Sequence, residues 1–215
     1  MAKVISISLR PKSIIGLMSG SVGDQVWCIR NGKNYVRSKP TFVLKSKTAK
    51  QLDHSARFTL MVRFLKTLTP FLRVGFKSQT GTMSAFNAAM SYNLMNAIAG
   101  NYPDYCIDYS KVMVSIGSLP EALNPIAVSR LAGEIEFSWD DNRNAMANDR
   151  VFLVVYNPAK QVATIEGSNA RMEGGQIITL PEDFSGDEVH CYMAFQNAGQ
   201  SVVSNSLYVG SLKVT

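Results

Sequence analysis

The stretch Gly133–Asp140, GEIEFSWD, places its apolar residues Ile135, Phe137 and Trp139 at every second position. Successive side chains of a strand point to opposite faces, so this spacing describes a strand with one buried and one polar face. A tryptophan closing the alternation suits the core of a β-sandwich. Around it, YSKVMVSIG, RVFLVVYNP, QVATIEG, GQIITLP, EVHCYMAFQN and SVVSNSLYVGSLKV recur with Gly, Pro, Asn and Asp between them. Strands at that spacing, separated by turn residues, predict a sandwich over residues 105–215.

Upstream the period changes. Over residues 41–100 the pattern predicts two helices. Thr48 followed by Gln51 forms a capping box, and Leu52, Ala56, Phe58, Met61, Val62, Leu65 and Leu68 recur at helical spacing until Thr69-Pro70. Asp53 and Arg57 are spaced for an i,i+4 pair. SAFNAAMSYNLMNAIAG predicts the second helix, with Phe86, Met90, Leu94 and Ile98 as core, and FLRVGFKSQTGT between the two reads as a basic linker. Residues 1–40 read as β structure centred on Asn31-Gly32, the strongest short hairpin signal because both turn residues tolerate positive φ. A two-residue turn there sets Trp27 opposite Val36, Cys28 opposite Tyr35 and Arg30 opposite Lys33. The fold class expected is mainly β with a helical segment. The expected domains are 1–104, a basic hairpin plus two helices, and 105–215, the sandwich.

The carrying residues EFSW, FLVVYN and LPEDFSGDEVHCYMAFQNAGQSVVSNS, with Tyr192 on an alternating strand, make the last half similar to a fibronectin type III module. The whole chain resembles a family of uncharacterised proteins from Bacteroidota, through SGSVGDQVW, NGKNYVRSKP, TAKQLDHSARFTL, FNAAMSYNLMNAIAG, YPDYCIDYSKV and DFSGDEVHCYMAF. The basic strand with Arg-Ser-Lys-Pro, followed by a helix start, is similar to small proteins encoded among phage-type structural genes. The resemblance implies a structural component and carries no catalytic residues.

Charge is divided unevenly. Residues 1–80 hold 15 Lys/Arg against Asp24 and Asp53, and residues 81–215 hold 7 against 14 acids, so the formal +6 hides halves of +13 and −7. Such asymmetry points to an anionic partner or to two ends that meet. Three cysteines at wide spacing, Cys28, Cys106 and Cys191, make neither a disulfide framework nor a metal site. The N-terminus lacks the apolar core of a signal peptide and no run approaches a membrane span, so the chain is expected in the cytoplasm or inside a larger particle, away from membranes.

Catalytic equipment is missing from the pattern. His54 stands in a cationic helix, and His190 and Cys191, adjacent on a strand, point to opposite faces. Gly16, Gly20 and Gly23 lack both the Lys-Ser/Thr of a P-loop and a following helix. WDDNRNAMANDR offers oxygen ligands but lacks the central Gly and closing Glu of an EF-hand. No enzyme, cofactor or metal is therefore expected. One constellation survives: Arg30, Lys33, Tyr35 and Arg37 on one hairpin face, continued by Lys39, Lys45, Lys47 and Lys50. This cationic track with an aromatic in it is expected to bind an acidic protein surface, a neighbouring copy foremost. A nucleic-acid strand is the alternative.

Overall fold

The computed structural model describes residues 3–6, 16–30, 32–40, 46–81, 83–130, 133–140, 142 and 144–215. Its contacts separate two compact units, residues 1–47 and 48–215. The first is an antiparallel sheet in the order β1-β2-β3-β4, formed by Lys3–Ser6, Leu17–Val22, Gln25–Arg30 and Lys33–Ser38.

The second unit begins with three helices: α1 (Ala49–Thr67), α2 (Thr69–Gly75) and α3 (Ala85–Asn96). The capping box at Thr48 forms as its spacing requires, the hydroxyl accepting from the Gln51 N–H and the Gln51 side chain from the Thr48 N–H. Only the second half of α1 is apolar on its inner face: Met61, Phe64, Leu65 and Leu68 are buried, whereas Leu52 and Phe58 are exposed. The expected linker is instead helix α2. Pro70 fits the first turn of a helix, where its missing N–H has no intrahelical partner anyway, so Thr-Pro ends α1 and restarts the chain at once. Phe71, Leu72 and Phe76 are buried as a result. Ser84 caps α3. A short hairpin follows, β5 (Ile98–Asn101) with β6 (Asp104–Ile107).

The sandwich has seven strands, as expected, although one of them differs. Leu123–Ser129 (β7), Glu134–Asp140 (β8), Arg150–Asn157 (β9), Val162–Glu166 (β10), Gly175–Thr179 (β11), Glu188–Gln196 (β12) and Leu207–Lys213 (β13) make two antiparallel sheets, β10-β9-β12-β13 and β11-β8-β7. YSKVMVSIG is not among them. Residues 112–117 join no strand, and side chains satisfy much of their backbone. The buried Asn93 carboxamide takes both the N–H and the C=O of Met113 (2.9 Å each). The Ser206 hydroxyl accepts from the N–H of Val114 and Ser115, and Asn205 Oδ1 from that of Gly117. Buried backbone groups need partners, and a ladder is only one way to supply them.

Inside the sandwich lie Ile135, Phe137 and Trp139 of β8, Val151, Leu153 and Val155 of β9, and Val189, Cys191, Met193 and Phe195 of β12. The alternate residues of the two central strands, Val154, Tyr156, Tyr192 and Ala194, belong to a second core shared with α1, α2 and α3. Phe64 meets Tyr156 edge-on at 4.7 Å between centroids, and Phe71 meets Phe152 at 5.5 Å. The helices are thus a third layer on the sandwich. The apolar helix faces are covered by the sheet that follows them, and helices and sandwich fall in one contact unit, residues 48–215.

A sandwich cut at residue 105 would expose the outer faces of β9 and β12, so it is expected to be insoluble or to bind a hydrophobic dye, whereas residues 48–215 remain soluble. Phe64→Ala in the full chain should cost about 3–5 kcal/mol, read as a lower denaturation midpoint.

Candidate functional site

The basic sheet of the first unit is built by the register that the Asn-Gly turn dictates. Trp27 pairs with Val36, Cys28 with Tyr35, and Arg30 with Lys33. Asn31 lies outside the described residues, but Gly32 takes φ +71°, the left-handed conformation that such a turn needs. Alternation then puts Arg30, Lys33, Tyr35 and Arg37 on one face and Trp27, Ile29 and Val36 on the other. Among the described residues no carboxylate pairs with Arg30, Lys33, Arg37 or Lys39. Arg30 and Lys33 face each other directly, a like-charge pairing that weakens a hairpin. Tyr35 is 48% exposed among these cations.

The other face of this sheet is also unfinished. No described side chain between residues 16 and 40 is buried, and Val22 and Val36 are 51% and 47% exposed. A sheet of four short strands gains little core of its own. Asn34 supplies some of the missing order, and sequence reasoning overlooked it. The β2–β3 ladder runs only from Gly20 to Val22 on β2, so upstream of it β2 lacks partners on that side. The Asn34 carboxamide provides them, accepting from the Met18 N–H at 3.1 Å and donating to the Gly16 carbonyl at 2.9 Å. A polar residue aligned with Trp27, Ile29 and Val36 was the available signal.

The rest of the expected track is distributed. Lys39 directly follows β4 and is exposed, with its N–H bonded to the Asp24 carbonyl. Lys45 lies outside the described residues. Lys47 ends the first unit, and Lys50 stands in the first turn of α1 in the second unit. Both are exposed.

Groups able to do chemistry are engaged elsewhere. His190 lies on the helix side of β12, stacked on Tyr109 at 3.9 Å, with Nδ1 3.0 Å from the Tyr208 hydroxyl. Cys191 points into the sandwich, where burial pushes its thiol up to about 12. They do not meet, as alternation required. His54 stacks against Phe58. In the acidic loop, Asp149 is committed to Arg171, both almost completely buried, and the guanidinium lies 3.6 Å from the Phe195 ring centroid. A buried guanidinium beside that carboxylate opposes a cation there, and no group of metal-binding side chains occurs among the described residues. Nor is any described helix long and apolar enough to cross a membrane.

Burial lowers the pKa of His190 below its ordinary 6.5, and Glu188 opposes this only in part. Between those two values the unfolded chain binds the proton more readily, so the stability from neutral His190 is complete above pH 6.5 and declines below it. Thermal melts of wild type and His190→Gln across that range should show the loss in the wild type alone.

Comparison with known proteins adds a family. No curated protein matches the chain significantly. Among solved structures it is similar to the fn3 domain of human collagen alpha-1(XX) chain, at 10% identity and a TM-score of 0.35, covering 46% of this chain and 87% of that domain. A family model matches residues 17–210, which takes in β2 to β4 of the basic sheet, the helices and nearly all of the sandwich, and the chain therefore belongs to the family of unknown function DUF6266.

Proposed function

We propose that this chain is a non-enzymatic assembly protein, a subunit of a larger particle of phage-like kind, that works through protein–protein contacts made by its basic sheet. One observation carries the reading: a sheet with no buried side chain between residues 16 and 40 among those described presents Arg30, Lys33 and Arg37, without carboxylate partners among the described residues, around an exposed tyrosine. A fold that holds Arg30 opposite Lys33 with no carboxylate paired to either among the described residues retains repulsion that an acidic partner would relieve. The same chain carries 14 acids over residues 81–215, so a second copy is a partner of matching sign. The contact works without cofactor or metal.

A nucleic-acid strand is the second reading, supported by Tyr35, a stacking platform between phosphate-binding cations. Light scattering after size exclusion, at about 0.05 M and about 0.5 M salt, separates the two readings, since the Debye length shrinks from about 14 to about 4 Å. Assembly predicts a mass above the monomer at low salt, with a protein-like absorbance ratio, that falls as salt rises. A nucleic-acid-like ratio removed by salt supports the second reading. A strict monomer at both salts, with no partner, overturns assembly.

A further inference from the structure

We infer that the acidic surface receiving the basic sheet is the outer face of the three-stranded sheet β11-β8-β7 in a second copy of the chain. This rests on the assembly reading above and adds to it the location of the acceptor.

The face follows from the alternation in β8. Ile135, Phe137 and Trp139 point into the core, so Glu134, Glu136, Ser138 and Asp140 point outward. The flanking strands are in register with them: Val128 on β7 and Ile177 on β11 both pair with Glu136, and Ile126 pairs with Ser138. Carboxylates therefore run down the middle of the face, with branched apolar side chains on either side. Ile126, Val128 and Ile177 are 55%, 49% and 49% exposed. Among the described residues the carboxylate line carries one cation, Arg130, paired with Glu136.

The two sheets of the sandwich differ in how their outer faces are finished. That of β10-β9-β12-β13 is covered by helices. A sheet face left to solvent usually carries polar side chains, yet this one carries two isoleucines and a valine around acids. Apolar groups clustered with charge of one sign mark an interaction surface more than a solvated one.

The basic sheet matches it in shape and sign. Residues two apart on a strand are about 7 Å apart, and stacked sheets lie about 10 Å apart. Sheet-on-sheet stacking thus lets Tyr35 rest on the apolar side chains while Lys33 and Arg37, on either side of it, reach the Glu134–Glu136 line. Three strands about 5 Å apart and about 23 Å long cover roughly 350 Å², below the ~800 Å² per partner of a stable complex. One such contact is therefore weak. Two copies that exchange sheets reciprocally make it twice, which is how a closed pair is reached from one small surface.

The test uses the full chain, measured by light scattering over a range of concentrations at low salt. Donor reversal (R30E/K33E/R37E) and acceptor reversal (E134R/E136R/D140R) should each weaken self-association by about tenfold or more. Mixing the two variants should restore it, because each then offers the complement of the other. The milder pair Ile126→Ser and Ile177→Ser should weaken association without lowering the melting temperature, which keeps the inference testable if acceptor reversal impairs folding. Loss on donor reversal with no effect of either acceptor change overturns this location and leaves the assembly reading standing. A wild type that is monomeric at every concentration and salt overturns both. An association that requires nucleic acid also overturns the inference.

Discussion

Two neighbouring strands, β9 and β12, have no solvent-facing side over most of their length, and the second unit depends on that constraint. One face of the pair fills the sandwich with Val151, Leu153, Val155, Val189, Cys191, Met193 and Phe195, and the other meets the helices through Val154, Tyr156, Tyr192 and Ala194. Strands buried on both faces read as continuous apolar runs, as VFLVVY and CYMAF do. The helices cannot be a separate module while this holds, because each side supplies the cover that the other lacks. The Tyr192 hydroxyl, donating to the Tyr109 carbonyl at 2.9 Å, shows how a polar atom is accommodated in the middle of that interface.

Treatment of charge follows the same division. Within the second unit a buried cation is held by several partners: Arg171 pairs with Asp149, donates to the carbonyls of Pro120 and Glu121, and lies on the Phe195 ring. Desolvating a guanidinium is costly unless its donors are met, and here several are. The first unit behaves differently: Arg30, Lys33, Arg37 and Lys39 meet no carboxylate among the described residues. Lys/Arg outnumber acids nine to one over residues 1–47, so the sheet cannot neutralise itself.

The sequence made some of these features plain and concealed others for identifiable reasons. The register of β3 and β4 was legible because Asn-Gly fixes a two-residue turn, and the Thr48 cap because its partner stands three residues on. Helix α2 was concealed because Thr-Pro signals an end and a beginning equally well. Residues 112–117 alternate as a strand does, and only distant side chains, Asn93, Asn205 and Ser206, decide that no ladder forms. Strand β7 was missed because Asn124-Pro125 interrupts it, with a bulge between Leu123 and Ile126 and a positive φ at Asn124. The cationic face was legible by alternation. The outward acids of β8 were equally visible, but a sequence does not state which sheet of a sandwich the helices will cover.

That last point bears most directly on function. Helices α1 to α3 cover the sheet whose central outward residues, Phe152, Val154, Tyr156, Tyr192 and Ala194, are apolar or aromatic. The remaining sheet combines Ile126, Val128 and Ile177 with carboxylates, a composition suited to a partner that is both flat and basic. The first unit is basic, and none of its described side chains between residues 16 and 40 is buried. In the proposed assembly donor and acceptor are surfaces of one chain, so each copy that donates a sheet also offers an acceptor. Chains of that kind close into pairs or rings where the rotation permits and continue as filaments where it does not.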